Sequence, residues 1–283
     1  ITGHSGFKGS WLTIWLNLLG ARIVGISDKE VSNPNHFRVS KIKNFIKSEW
    51  IDITATKKTI KLIKKYEPDF IFHLAAQPLV YSSYEDPLNT IKINSIGTLN
   101  ILESLRLIKK KITTVFITSD KVYDNLEWAW GYRETDKLGG KDPYSGSKAM
   151  AELVIRSYTE SFFKNNNNNK QIGVARAGNV IGGGDWAENR IVPDCMKAWS
   201  SNLSVSIRNS HSTRPWQHVL EPLSGYLALG AHLAKKKNKN AAIYNFGTPS
   251  QQNHSVKLLI NEMKKSWNKV LWKDISQSKK KFL

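Results

Sequence analysis

The 283-residue chain is 40% hydrophobic and carries a formal net charge of +19, with 42 Lys and Arg against 23 Asp and Glu. That length buries a sizeable core, no apolar run is long enough to cross a bilayer, and the single cysteine, Cys195, excludes an intrachain disulfide or a cysteine-based zinc site. The charge admits a nucleic-acid partner, but the lysine runs at 57–58, 109–111, 235–237 and 279–281 sit beside helix ends or in polar loops, and no aromatic-basic interleaving or zinc-finger spacing accompanies them. Neither nucleic acid nor membrane is therefore expected as a partner, and a milder reading is that the charge draws in anionic substrates.

In chain order, the opening ITGHSG reads as the end of a strand entering a loop, so most of a first strand is expected to be missing. The start has no basic region followed by a short apolar core; no signal peptide is expected, and one cysteine fits a reducing cytoplasm. Residues 9–19 carry apolar side chains at helical spacing, and Gly20 stops them. A β-branched run follows at 22–26. Residues 56–65 form an amphipathic, lysine-faced helix that ends by Pro68. DFIFHL at 69–74 and TTVFIT at 113–118 read as buried strands, with a long helix at 87–107 between them. A further helix at 144–163, a polar insertion at 165–169 and a strand at 172–175 continue the alternation. Strands separated by helices imply an α/β fold, a doubly wound parallel sheet that presents ligands at its C-terminal edge. From Gly178 the rhythm breaks, and a strand signal returns late, at 243–246. The expected division is a nucleotide-binding domain over 1–178 and a smaller lobe over 179–283, itself lacking its final elements, with segments near 215–247 returning to the sheet.

Three constellations carry candidate chemistry. Gly3, Gly6 and Gly9 in TGHSGFKG allow a tight turn, close approach of a pyrophosphate and close packing of the next helix; alone, the same spacing also suits a plain strand-to-helix turn. Ser27 and Asp28 compete for the ribose position at the end of the second strand, and Asp52 is a candidate for the adenine edge. Tyr144 and Lys148 lie four residues apart and share a helix face. A nearby ammonium would lower the phenol's pKa and make Tyr144 an acid or base near neutral pH. Ser119, Asp120 and Lys121 follow a buried strand where ligands gather, although SDK by itself is also an ordinary turn. His4 is a candidate pyrophosphate contact, His73 a satisfied core residue. No two histidines have a metal-ligand spacing, so no metal is expected.

Together these residues resemble the extended short-chain dehydrogenase/reductases, the NAD-dependent epimerase/dehydratase family. The resemblance runs through GHSGFKGSWL at 3–12, FHLAAQPLV at 72–80, TSDKVYDNLEWAWGYRE at 118–134, GGKDPYSGSK at 139–148, RAGNVIGGGDWAENRIVPD at 176–194 and RPWQHVLEPLSGYL at 214–227. The tryptophan-rich stretches are similar to the dehydratases that take CDP-glucose. The resemblance implies a Rossmann domain with a small sugar-nucleotide lobe, NAD held by Gly3, Gly6, Phe7, Gly9, Asp52, Ala75, Ala76, Thr118, Tyr144 and Lys148, and a homodimer paired through the helices at 87–107 and 144–163. It also implies roles: Tyr144 takes the proton of the hydroxyl on carbon 4 while NAD accepts the hydride, Lys121 removes the hydrogen on carbon 5, Asp120 protonates the departing hydroxyl on carbon 6, and Ser119 polarises the carbonyl. Lys121 would have to be neutral, through burial or nearby positive charge. Asn179, Arg190, Arg214 and, more weakly, Arg208 are implied as contacts of the substrate diphosphate. The alternatives are a nucleotide-sugar 4-epimerase of the same family and a non-catalytic basic Rossmann protein that binds nucleic acid.

Overall fold

The structure, a computed structural model, describes residues 1–164, 170–235, 241–249, 252 and 254–276; the asparagine-rich insertion, lysines 236–237 and lysines 279–281 lie outside them. Strands β1 (Val24–Ser27) and β2 (Lys47–Trp50) pair in parallel. Strands β3 (Phe70–His73), β4 (Ile112–Ile117) and β5 (Lys170–Ala177) form a second parallel run, which the strand Ala242–Phe246 extends beyond β5. Thr2 bridges the two runs, pairing in parallel with Ile26 on one side and His73 on the other. Strand order thus reverses about Thr2, the switch point at which such sheets bind ligands.

β4 is buried along its whole length, and its side chains alternate between two cores. Ile112 and Phe116 join Ile63, Ile101, Leu105 and Ile155 on one face. Val115 and Ile117 join Leu12, Leu223, Tyr226 and Leu229 on the other. Period-two geometry therefore converts an unbroken apolar run into a sheet covered on both sides. The helix Thr56–Tyr66 buries Thr59, Leu62 and Ile63 on one stripe, and Glu67 ends it in a left-handed conformation (φ 39°) just before Pro68. The long helix at 87–107 is continuous from Pro87 to Leu107 but passes through a π-turn at Lys92–Ile96, a distortion often found at functional sites. The helix Leu220–Lys235 packs back on the sheet.

A third core, around Cys195, Trp199, Val205, Ile207, Val256 and Ile260, belongs to the C-terminal lobe. It is assembled from the helices Ile191–Ser200 and Val256–Lys264 and the parallel pair Val205–Ile207 with Trp272–Asp274. No helix among the described residues is long and apolar enough to cross a membrane.

Candidate active site

The switch point is occupied by the glycine loop. Gly3 takes φ +74°, and a Cβ there would lie 2.7 Å from the Ala75 nitrogen, so the loop touches the 74–76 wall backbone to backbone. A Cβ on Gly9 would lie 2.0 Å from the Gly3 oxygen, which presses helix α1 (Phe7–Leu18) onto the loop. Gly6 differs: an added Cβ would meet only the Gly3 oxygen, at 3.3 Å. Gly6 caps α1 with no side-chain acceptor, the first turn holds no acidic residue, and Ser10 is the first residue whose N–H returns to Gly6. The N–H groups of the first turn therefore face outward at the positive end of the helix dipole, an anion cradle.

Two expectations near this loop are corrected. His4 is fully buried and turned inward, with Nδ1 3.0 Å from Ser27 Oγ and Nε2 3.0 Å from Ser48 Oγ, so it cannot reach a pyrophosphate. A Cβ on Gly25 would strike its ring, which shows how tightly the ring fills that space. Ser27 is locked by the same contact and accepts from Ser5 N–H, leaving exposed Asp28 as the available group at the end of β1. Asp52 accepts from Thr54 N–H and Oγ1, both at 2.8 Å, and stays exposed after β2.

The helix Pro143–Tyr158 begins where Asp142 accepts from Ser145 N–H at 2.9 Å, with Pro143 in the first turn. Tyr144 and Lys148 are buried on one face of it. Burial pushes the Tyr144 phenol up to about 12, and the charge of Asp120 adds to the rise, against a hydrogen bond with Ser119 and the charge of Arg190. The expected acidification by Lys148 is not met in the protein alone: burial dominates the phenol, and the Lys148 ammonium donates instead to the Ile117 carbonyl at 3.4 Å. Burial also brings the Lys148 ammonium down to about 8, opposed by Glu152. Thr118 donates to Glu152 at 2.6 Å, so its hydroxyl points into the protein behind this pair. His73 is satisfied in the core between Thr2 Oγ1 (2.7 Å) and Thr98 Oγ1 (3.1 Å).

The Ser119–Lys121 turn leaves the C-terminal end of β4. Ser119 Oγ donates to Asp120 Oδ1 at 3.0 Å and accepts from Lys121 N–H at 3.2 Å. Asp120 lies exposed beside Gly178, yet burial by the surrounding protein raises its carboxyl pKa, opposed by Ser119 and by the charges of Lys121, Lys8 and Arg214. Lys121 is exposed, so the burial expected for it is absent.

Of the four diphosphate candidates, Arg190 is held by Asp185 at 2.8 Å, and Arg214, exposed, lies within reach of the Asp120 charge. Asn179 is exposed after β5. Arg208 is exposed and interacts with Asp194, one helical turn beyond Arg190. Two contributors escaped the sequence reading. Lys8, inside the glycine motif, donates to the Tyr226 hydroxyl at 3.2 Å; burial and the Arg190 charge bring its pKa down to about 8. Asn94, at the π-turn, ties Gln77 of the 75–77 wall to Ser147 of the helix that carries Tyr144. Among the described residues, no group of three or more His, Cys, Asp or Glu could hold a metal ion.

The profile of the GDP-mannose 4,6-dehydratase family matches residues 1–280. The chain belongs to this family. The dehydratase-family chain is 44% identical over 271 residues to the CDP-glucose 4,6-dehydratase of Salmonella typhimurium, covering 94% of this chain and 75% of that protein. It is 27% identical to the dTDP-D-glucose 4,6-dehydratase of Dictyostelium discoideum, over 88% of this chain and 57% of that protein. Among solved structures it is similar to the UDP-glucose 4-epimerase of Thermotoga maritima with UDP-glucose (TM-score 0.80, 22% identity, 96% of this chain and 84% of that one). It also resembles the dTDP-glucose 4,6-dehydratase of Bacillus anthracis in complex with NAD (TM-score 0.76, 20% identity, 96% and 83%). These structural likenesses establish the Rossmann-type fold with its smaller C-terminal lobe.

Proposed function

We propose that this chain is an NAD-dependent lyase that removes water from CDP-glucose to give CDP-4-dehydro-6-deoxyglucose. The observation that carries the reading is 44% identity, over 94% of the chain, to a protein of that activity. The geometry supports it, because Tyr144 and Lys148, the Ser119–Lys121 turn and the cations Lys8, Arg190 and Arg214 gather in one cluster.

The glycine loop fits a dinucleotide on its own features: an uncapped helix terminus for the phosphates, and a Gly6 position with space beside it. Gly3, Gly6, Phe7 and Gly9 would hold the pyrophosphate, Ala75, Ala76 and Thr118 the wall, Asp28 and Asp52 the adenosine end, and Lys148 the ribose next to Tyr144. Bound there, NAD would take up the hydrogen lost from carbon 4 and return it at carbon 6. Tyr144 receives the proton of the carbon-4 hydroxyl, and Lys148 supplies the charge that favours its phenolate. Ser119 donates to the carbonyl oxygen that forms, which makes the hydrogen on carbon 5 acidic. Lys121, acting as the neutral amine, removes that hydrogen and gives the proton back to carbon 5 once carbon 6 has been reduced. Asp120, whose raised pKa favours the protonated acid, delivers its proton to the hydroxyl leaving carbon 6. Asn179, Arg190, Arg214 and, at the margin, Arg208 neutralise the diphosphate.

The protein would act as a homodimer in the cytoplasm, and two helices support the dimer: Leu88, Ile96 and Leu107 on one, Met150 and Leu153 on the other, stay exposed although large and apolar. Incubation with CDP-glucose and NAD tests the function. A product with one water fewer and an alkali-induced enone absorbance supports it; unchanged sugar, or CDP-galactose, contradicts it.

A further inference from the structure

Arg176, near the end of β5, is 2% exposed. A guanidinium taken out of water requires partners for its N–H groups, and here they lie on two sides. On the first side, Nε donates to both carboxylate oxygens of Glu152, at 2.9 and 3.0 Å, and Nη2 donates to the same carboxylate. Glu152 stands one helical turn beyond Lys148. On the second side, Nη1 donates to the Tyr123 hydroxyl at 2.7 Å and to the Glu134 carbonyl at 3.1 Å, while the guanidinium carbon lies 4.7 Å from the centroid of the Tyr123 ring. Tyr123 directly follows the Asp120–Val122 turn, and its hydroxyl donates onward to Asn245 Oδ1 at 2.6 Å.

The covalent path between the two segments runs through residues 125–138, much of it exposed, so connectivity alone joins the catalytic turn to the catalytic helix loosely. Arg176 closes that gap from below. Its bond to Glu134, with those of Asn245 to Glu134 Oε1 (2.7 Å) and Tyr132 O (2.9 Å), also pins the returning half of the loop. Stability alone is a weak account of such a pair, because buried ion pairs are often replaceable by apolar side chains at little cost.

We propose that Arg176 is a positioning residue which, by gripping Glu152 and Tyr123 at once, holds the helix of Tyr144 and Lys148 in register with the turn of Asp120 and Lys121. Resting on the dehydratase reading, this assigns Arg176 the task of keeping oxidation at carbon 4 and elimination across carbons 5 and 6 aligned on one sugar. Loosening the grip leaves the first step and slows the second.

The test uses Tyr123→Phe, which removes one hydroxyl and keeps the ring over the guanidinium, and Arg176→Lys, which keeps a charge beside Glu152 but cannot reach both sides. Single-turnover absorbance of reduced cofactor reads the oxidation, and release of the dehydrated sugar reads the elimination. Both variants should reduce the cofactor at the wild-type rate, accumulate it in reduced form, and release product up to about 100-fold more slowly, the loss that misplacement by about an ångström brings. Parallel loss of both steps, or wild-type rates of both in a variant that melts normally, overturns the proposal. A wild-type protein that leaves CDP-glucose unchanged sinks the dehydratase reading instead.

Discussion

Replacing Lys148 by Met is expected to stabilise the protein at neutral pH while abolishing its chemistry. In the fold, burial brings the ammonium from 10.5 to about 8. That gap, at about 1.36 kcal/mol per pH unit, corresponds to about 3 kcal/mol. Its sign follows from proton binding: the unfolded chain keeps the Lys148 proton up to 10.5, the folded protein only up to about 8. Below pH 8 folding carries the whole cost of a buried charge; between 8 and 10.5 the folded protein has shed the proton, and the cost fades because releasing it grows easier as the pH rises. Methionine fills similar space without the charge, and Glu152 remains paired with Arg176, so no orphan carboxylate results. For a chain of this size the gain amounts to a rise in Tm of about 5 °C. Thermal melts of both proteins at pH 7 and pH 10, alongside turnover, read it out. A variant less stable than wild type at pH 7, or a gain that does not shrink at pH 10, refutes the reasoning.

Lys121→Ala should leave cofactor binding and sugar oxidation intact and stop elimination, seen as reduced cofactor that persists; continued loss of water would exclude Lys121 as the base. Gly6→Ala and Gly9→Ala should separate binding from folding. The first meets only a 3.3 Å contact and should weaken NAD binding in a normally melting protein, whereas the second meets Gly3 O at 2.0 Å and should lower the Tm; equal melting of the two would contradict the loop geometry. Leu153→Lys, on the exposed apolar stripe, should shift the protein to a monomer in size-exclusion chromatography without unfolding it, and an unchanged elution position would move the dimer contact elsewhere.

Much of the sheet was legible because burial on both faces leaves unmistakable runs: ITTVFI and FIFH are strands almost to the residue. The long helix 87–107 was legible from its spacing, but its π-turn was not, since nothing in KINSI announces an extra residue per turn. β2 is the opposite case. KSEW is short, polar and half-exposed, so it reads as a strand only once its parallel partner β1 is present. At the site, Tyr144–Lys148 and Ser119–Lys121 were legible as local patterns on a helix and after a strand. What sequence could not give was electrostatic order, because desolvation depends on distant walls: it raises Tyr144 where proximity to Lys148 suggested a fall. The same limit hid Arg176, whose partners Glu152, Tyr123 and Glu134 are each more than twenty residues away. His4 looked like a loop contact and proved to be packing, since its ring has room only beneath Gly25.

In the proposed reaction hydrogen leaves carbon 4 and comes back at carbon 6 of the same sugar. CDP-glucose carrying deuterium at carbon 4, incubated with the protein and NAD and examined by NMR, tests it directly. A dehydrated product with the label on carbon 6 is expected. Label retained at carbon 4, in unchanged or epimerised sugar, would contradict it.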